Sequence, residues 1–145
     1  MPLNKLVFMF KDEDAERKTV ETKFGTVASG SSAERPVFVA PHPAEIVAAS
    51  LVNASAISKD ATNYETFTLR DKGGDGTADN VIGTITTEDT PGGQAFAAYD
   101  EVEFSTIDAN HRVLAEGDVV TLKKVPSGAG IGTDEMLVKI EYKRH

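Results

Sequence analysis

Apolar residues recur along this chain in short runs, set off by clusters of Gly, Pro, Asn and Asp. Val, Ile, Thr, Phe and Tyr dominate those runs, which is the signature of strands joined by turns. Lys5–Phe10 is a first apolar run, followed by Lys11–Lys18, which mixes both charge signs without an apolar stripe and reads as a solvated helical turn or a loop. Thr19–Val27 reads as a strand with Val20, Thr22, Phe24 and Thr26 on one side, and Ala28–Arg35 as a flexible polar connector. Val37–Ala40 is a short strand stopped by Pro41 and Pro43, which cannot donate to a central ladder.

Glu45–Ala54 carries apolar residues in both alternating sets, as expected of a strand buried on much of both faces. Ile46, Ala49, Ser50 and Asn53 also fall at helical spacing, but the β-branched content favours a strand. Tyr64–Arg70 alternates cleanly, with Phe67 and Leu69 inward beside Glu65, and Thr66, Thr68 and Arg70 outward. Asp71–Asn80 is a turn, and Val81–Thr87 returns as the partner strand of a hairpin. Gln94–Tyr99, Glu101–Ser105 and Val113–Leu114 are shorter pieces. Val119–Val125 and Met136–Tyr142 read as a final pair around the glycine-rich hairpin tip Pro126–Thr133, with Met136, Val138, Ile140 and Tyr142 on one face of the last strand. This many short strands predict an all-β fold, a β-sandwich of jelly-roll type. The texture shifts near residue 36, which divides the chain into 1–35, an N-terminal arm or extra strands, and a β-sandwich domain over 36–145.

Composition narrows the function classes. The chain has 145 residues and a formal net charge of -8, which disfavours a protein built to grip nucleic-acid phosphates. No apolar run approaches the length of a membrane helix, and Leu6–Phe10 between Lys5 and Lys11 is too short for a signal peptide core. The chain contains no cysteine, so disulfides and thiolate chemistry are excluded.

Candidate chemistry is sparse. Asp71, Asp75 and Asp79 share a Gly-kinked loop and form a weak candidate calcium site. The loop has Gly73 and Ile82 where an EF-hand needs ligands, so a turn is the favoured reading. His42, His111 and His145 are scattered and lack zinc spacing. Gly128, Gly130 and Gly132 are followed by Thr133-Asp134-Glu135 with no lysine, unlike a P-loop. The acids Asp100, Glu101 and Glu103 read as a solvated face. Tyr64, Tyr99 and Tyr142 sit in strand contexts and suit a core or an interface, and the absence of Trp lowers a sugar-stacking role. No catalytic residue, cofactor or firm metal site is expected, and the chain is not expected to be an enzyme.

From residue 36 onward a family pattern is visible. Val37–Pro41, Glu45–Val52, Ala61–Leu69 with its Asn63-Tyr64 strand entrance, and Gly117-Asp118-Val119-Val120-Thr121-Leu122 resemble the capsid decoration (cement) proteins of tailed bacteriophages over residues 36–143. The resemblance implies a β-rich structural protein of the virion, made in the host cytoplasm and bound to the capsid exterior, often as a homotrimer. Its partners would be the major capsid protein and further copies of itself, with no nucleic acid and no membrane. It carries over no catalytic or ligand residue. An arm suits such a role because an extended segment buries much interface per residue. The interface candidates are therefore Leu6, Val7, Phe8 and Phe10 in the first run, with Val20 and Phe24 in the second. The other reading is that these runs complete the sandwich of their own subunit. A carbohydrate- or calcium-binding β-sandwich module is the alternative function.

Overall fold

The computed structural model describes residues 17–145, and the inward alternation read from the sequence is what builds it. The strands are β1 (Lys18–Val27), β2 (Ala33–Val39), β3 (Ala44–Val52), β4 (Tyr64–Asp71), β5 (Asn80–Thr86), β6 (Glu101–Glu103), β7 (Val113–Leu114), β8 (Val119–Ser127) and β9 (Thr133–Arg144). They form two antiparallel sheets. One runs β1-β9-β3-β6, with β7 also on β3, and the other runs β2-β8-β4-β5. The order is that of a hairpin rolled up on itself: β1 pairs β9, β2 pairs β8, β3 pairs β6 and β7, and β4 pairs β5. This is a jelly-roll β-sandwich, and no helix occurs among the described residues.

The core lies between the sheets. Phe24, Ile46, Leu51, Met136, Val138 and Ile140 from one sheet face Phe67, Leu69, Ile82, Ile85, Val120 and Leu122 from the other. Phe96, on the stretch between β5 and β6, closes over Phe67 with ring centroids 5.7 Å apart. That edge-to-face spacing is the favoured geometry for two aromatic quadrupoles. In β4 and β9 the apolar residues read as inward are buried, and Thr68, read as outward, is buried as well at 7% exposed.

Bulges explain two departures. In β1 the register slips on either side of Gly25, at φ 86°, so Val27 rather than Thr26 follows Phe24 into the core. In β3 a slip between Ile46 and Ala48 moves the inward set from Ala44 and Ile46 to Ala49 and Leu51. The helical spacing of Ile46 and Ala49 is the trace of that bulge.

Three expectations are corrected. Val119–Val125 and Met136–Tyr142 are not a hairpin, because β8 and β9 belong to opposite sheets and the glycine-rich loop between them crosses the sandwich. Both strands bury one alternating face, a feature that edge-to-edge and face-to-face neighbours share. Ala28–Arg35 is not a free connector: Ser31 N–H bonds Ala28 C=O at 3.2 Å, and β2 already begins at Ala33. Tyr99 lies outside any strand, at φ 62° and 76% exposed. The division at residue 36 falls inside β2, and of the two readings of 1–35 the described part supplies β1 and the start of β2 as strands of the sandwich.

Candidate interaction surface

Two edge strands share one side of the sandwich. β1 ends the first sheet and β2 ends the second, so among the described residues each has one row of backbone groups without a strand partner. Over part of their length side chains close this gap. Thr22 Oγ1 donates to the Val37 carbonyl at 2.8 Å. Arg35 sits 5.1 Å from the centroid of the Phe24 ring and donates to the Phe24 and Thr26 carbonyls. Among the described residues the side-chain bonds between β1 and β2 all fall between Thr22 and Thr26.

Beyond Thr22, toward the start of β1, lies an apolar groove of about 440 Å³ lined by Val20, Pro36–Val39, Pro41 and Tyr142. Phe38 and Tyr142 form its floor, with ring centroids 4.9 Å apart. Val39 stands at its rim, 55% exposed. Pro36 and Pro41 donate no backbone N–H, which suits an edge that must not pair promiscuously.

Of the interface candidates, Val20 lines this groove. Phe24 does not: it is 1% exposed and packed in the core, with the Arg35 guanidinium 5.1 Å from its ring centroid. Leu6, Val7, Phe8 and Phe10 lie outside the described residues. The sequence reading did not single out Val39, which is exposed at the rim. Its signal was the proline frame around Val37–Ala40, which marks an edge strand.

At the far end of the same edge sits a buried ion pair. Lys124 Nζ lies 3.3 Å from Glu65 Oε1, with both side chains fully buried. The ammonium also donates to the Ala28 and Ser31 carbonyls at 3.2 and 3.0 Å. Glu65 Oε1 accepts the Ile131 N–H, while Oε2 has no partner. Burial pushes the Glu65 carboxyl up, and the Ile131 N–H and the ammonium pull against it. With its donors spent on three acceptors, the ammonium acts as a clamp rather than a nucleophile. It joins β8 and β4 to the β1–β2 turn, while the Glu65 carboxylate holds the crossing loop. Lys124 was legible as the inward partner of Val120 and Leu122, but a lysine is rarely read into a core.

The remaining candidates are dispersed. Asp71 Oδ1 accepts the Gly73 N–H at 2.8 Å, and Asp75 accepts the N–H and hydroxyl of Thr77 at 3.0 and 2.7 Å. Asp79 pairs with Arg70 and Lys72 at 2.7 and 3.1 Å. The three carboxylates thus serve turns and ion pairs of their own, and among the described residues no three His, Asp or Glu side chains converge on a metal position. His42 Nδ1 contacts the Pro43 carbonyl at 2.8 Å, and His111 lies 3.7 Å from Asp108. Glu101 and Glu103 share the outer face of the first sheet with Lys139 and Glu141, where Lys139 pairs with Glu101 at 3.5 Å.

No family model and no curated protein matches the chain. Among solved structures, it is similar to one described as the structure of infectious bursal disease virus Gx strain. The TM-score is 0.37 and the identity 10%, over 88% of this chain and 36% of that one. A likeness at that level carries no functional argument, and the fold assignment rests on the strand order given above.

Proposed function

We propose that this chain is a structural protein of a virion that binds the outside of a tailed-phage capsid shell and stabilises it, acting as a homotrimer. The observation that carries the reading is the apolar groove between the edge strands β1 and β2. A sheet edge beside an apolar trough offers backbone bonds for register and side-chain burial for affinity, the two components of strand addition by a neighbouring subunit. The jelly roll serves capsid and lectin domains alike, so the architecture alone does not choose. The sequence resemblance over residues 36–143 favours the shell.

The test is titration of the purified protein onto phage heads stripped of their decoration protein, read by co-sedimentation, with light scattering for the free state. Saturable binding at a fixed ratio to shell subunits, with a threefold mass in solution or on the shell, is the expected outcome. Absence of saturable binding overturns the reading.

A further inference from the structure

We infer that the groove seats a second copy of this chain, which enters with its Tyr99 turn, so that self-association joins two unlike faces of the molecule. The inference rests on the reading above in taking the groove as the seat of a neighbouring subunit; it names that neighbour and the segment it brings. Among the described residues Tyr99 is the most exposed large apolar side chain, at 76%, and Val39 on the groove rim is next, at 55%. One projects and the other borders a recess. An aromatic side chain this bare has about 150–250 Å² to bury in an apolar site. The Phe38–Tyr142 ring pair on the groove floor offers it aromatic neighbours.

The turn holds the ring out. Tyr99 sits at φ 62°, a conformation unfavourable for a residue with a Cβ, and its N–H donates to the Asn53 carbonyl at 2.8 Å. Asn53 is wholly buried, and its side-chain oxygen accepts the Asp134 N–H at 3.0 Å. One buried residue thus fixes both the Tyr99 turn and the start of β9. A side chain projected from a fixed backbone gives up little freedom on binding, as an anchor residue requires. β6 follows directly and ends its own sheet among the described residues, so the entering segment brings a strand edge with it.

Charge complements shape. Asp100 and Glu101 follow Tyr99, and Asp134 and Glu135 stand across Asn53 from it; the cation paired there is Lys139, with Glu101 at 3.5 Å. At the groove mouth Lys18 pairs with Tyr142 across the β1–β9 ladder, which brings Arg17 and Lys18 beside Lys143 and Arg144. Glu141 pairs with Arg17 and Glu45 with Lys143 at 3.3 and 3.5 Å. An acidic projection therefore meets a rim in which cations outnumber carboxylates.

The two faces lie toward opposite ends of one strand. Tyr142 pairs with Ile46 in β3, whereas Tyr99 is bonded to Asn53, just past the end of that strand, about 20 Å further along. A molecule cannot fill its own groove with its own Tyr99. A contact between unlike faces is head-to-tail, the kind that closes into a ring such as the trimer proposed above.

Two variants separate the faces. Tyr99→Gly removes the ring and relieves the left-handed backbone, so its free subunit melts no lower than the wild type. Val39→Asp places a charge on the exposed rim. By sedimentation equilibrium the wild type forms species larger than a dimer, and each variant alone is weakened in self-association by at least about thirtyfold. Mixed one to one, the variants form a heterodimer and nothing larger, because the Val39→Asp copy still offers Tyr99 and the Tyr99→Gly copy still offers the groove. Either variant associating like the wild type, or a mixture that stays monomeric, overturns the inference. No shell enters these readings. A wild type that stays monomeric at roughly 100 μM, where a standard-sized interface is occupied, yet saturates stripped heads overturns the inference and leaves shell binding standing. Self-association through these faces without binding to heads does the reverse.

Discussion

Lys124 Nζ lies 3.3 Å from Glu65 Oε1 with both side chains wholly withdrawn from solvent, and between them they gather four segments of chain. The ammonium takes the carbonyls of Ala28 and Ser31, while the carboxylate takes the N–H of Ile131. Truncating one partner strands a charge. Lys124→Met is expected to cost about 3–5 kcal/mol, and the double variant Lys124→Met with Glu65→Leu to recover most of that loss. Urea denaturation of the three proteins measures it; equal losses for single and double variants contradict the account.

The buried acids set a pH dependence. The Asp71 carboxyl is pushed above the ordinary carboxylate range, first by burial and then by the nearby Asp118 carboxylate, against the pull of the Gly73 N–H and His111. A raised folded pKa means that the folded state binds more protons. This group's contribution therefore grows as pH falls from above its folded pKa toward about 4, and weakens as pH rises. Asp71→Asn removes that dependence. The stability difference, wild type minus variant, is expected to increase from pH 7 to pH 4.5, as thermal melts across that range will report. Asp60, Asp75 and Asp79 shift the opposite way, held down mainly by hydrogen bonds from Thr62 and Asn63, from Thr77, and from Lys72 and Arg70. Their support is present above about pH 4 and is lost below it, so acid unfolding sets in at lower pH.

The crossing loop depends on glycine where a proline ring and a carboxylate crowd it. A Cβ at Gly130, φ 60°, would stand 2.6 Å from Pro126 Cβ and 2.7 Å from Glu65 Oε1. At Gly76, φ 78°, it would meet nothing within 4 Å. Gly130→Ala is expected to lose more than about 2 kcal/mol and Gly76→Ala only about 1, the left-handed strain alone. Chemical denaturation separates the two.

Chelation leaves the melting temperature within a few degrees, because the carboxylates of the Asp71–Asp79 loop are engaged by Gly73, Thr77, Arg70 and Lys72. A ligand that bound the folded state would instead add stability by mass action. A large fall in EDTA that calcium reverses contradicts this.

Truncation separates the segment before β1 from the sandwich. Deleting residues 2–16 should leave a cooperative, β-rich melt. Deleting 2–35 removes Phe24 and Val27 from the core and strips β9 of its neighbour β1, so that product is expected to be insoluble. A folded 36–145 fragment would show that β1 is dispensable.

What the sequence made legible was local. Period-two alternation in Tyr64–Arg70 and Met136–Tyr142 places Phe67, Leu69 and the apolar face of the last strand inside, though not Thr68, and the Asp71–Asn80 turn joins a real hairpin. What escaped was which strands lie side by side. Alternation reports that one face is buried but not against what, so β8 and β9 looked like partners although they lie in opposite sheets. Bulges at Gly25 and Val47 shifted faces in ways that no periodic template anticipates. In the groove, Val20 was found from its strand, while Tyr142 reaches the same place from the other end of the chain.

The rolled strand order also bears on how the molecule comes into being. β9, the last of the described strands in chain order, is an interior strand, flanked by the early strands β1 and β3. β4 and β5 can pair as soon as both are made, but the first sheet cannot close until β9 is made. Such distant pairings are slow, and unpaired edges are exposed in the meantime. A chain interrupted anywhere before β9 therefore leaves β1 and β3 without the strand that joins them.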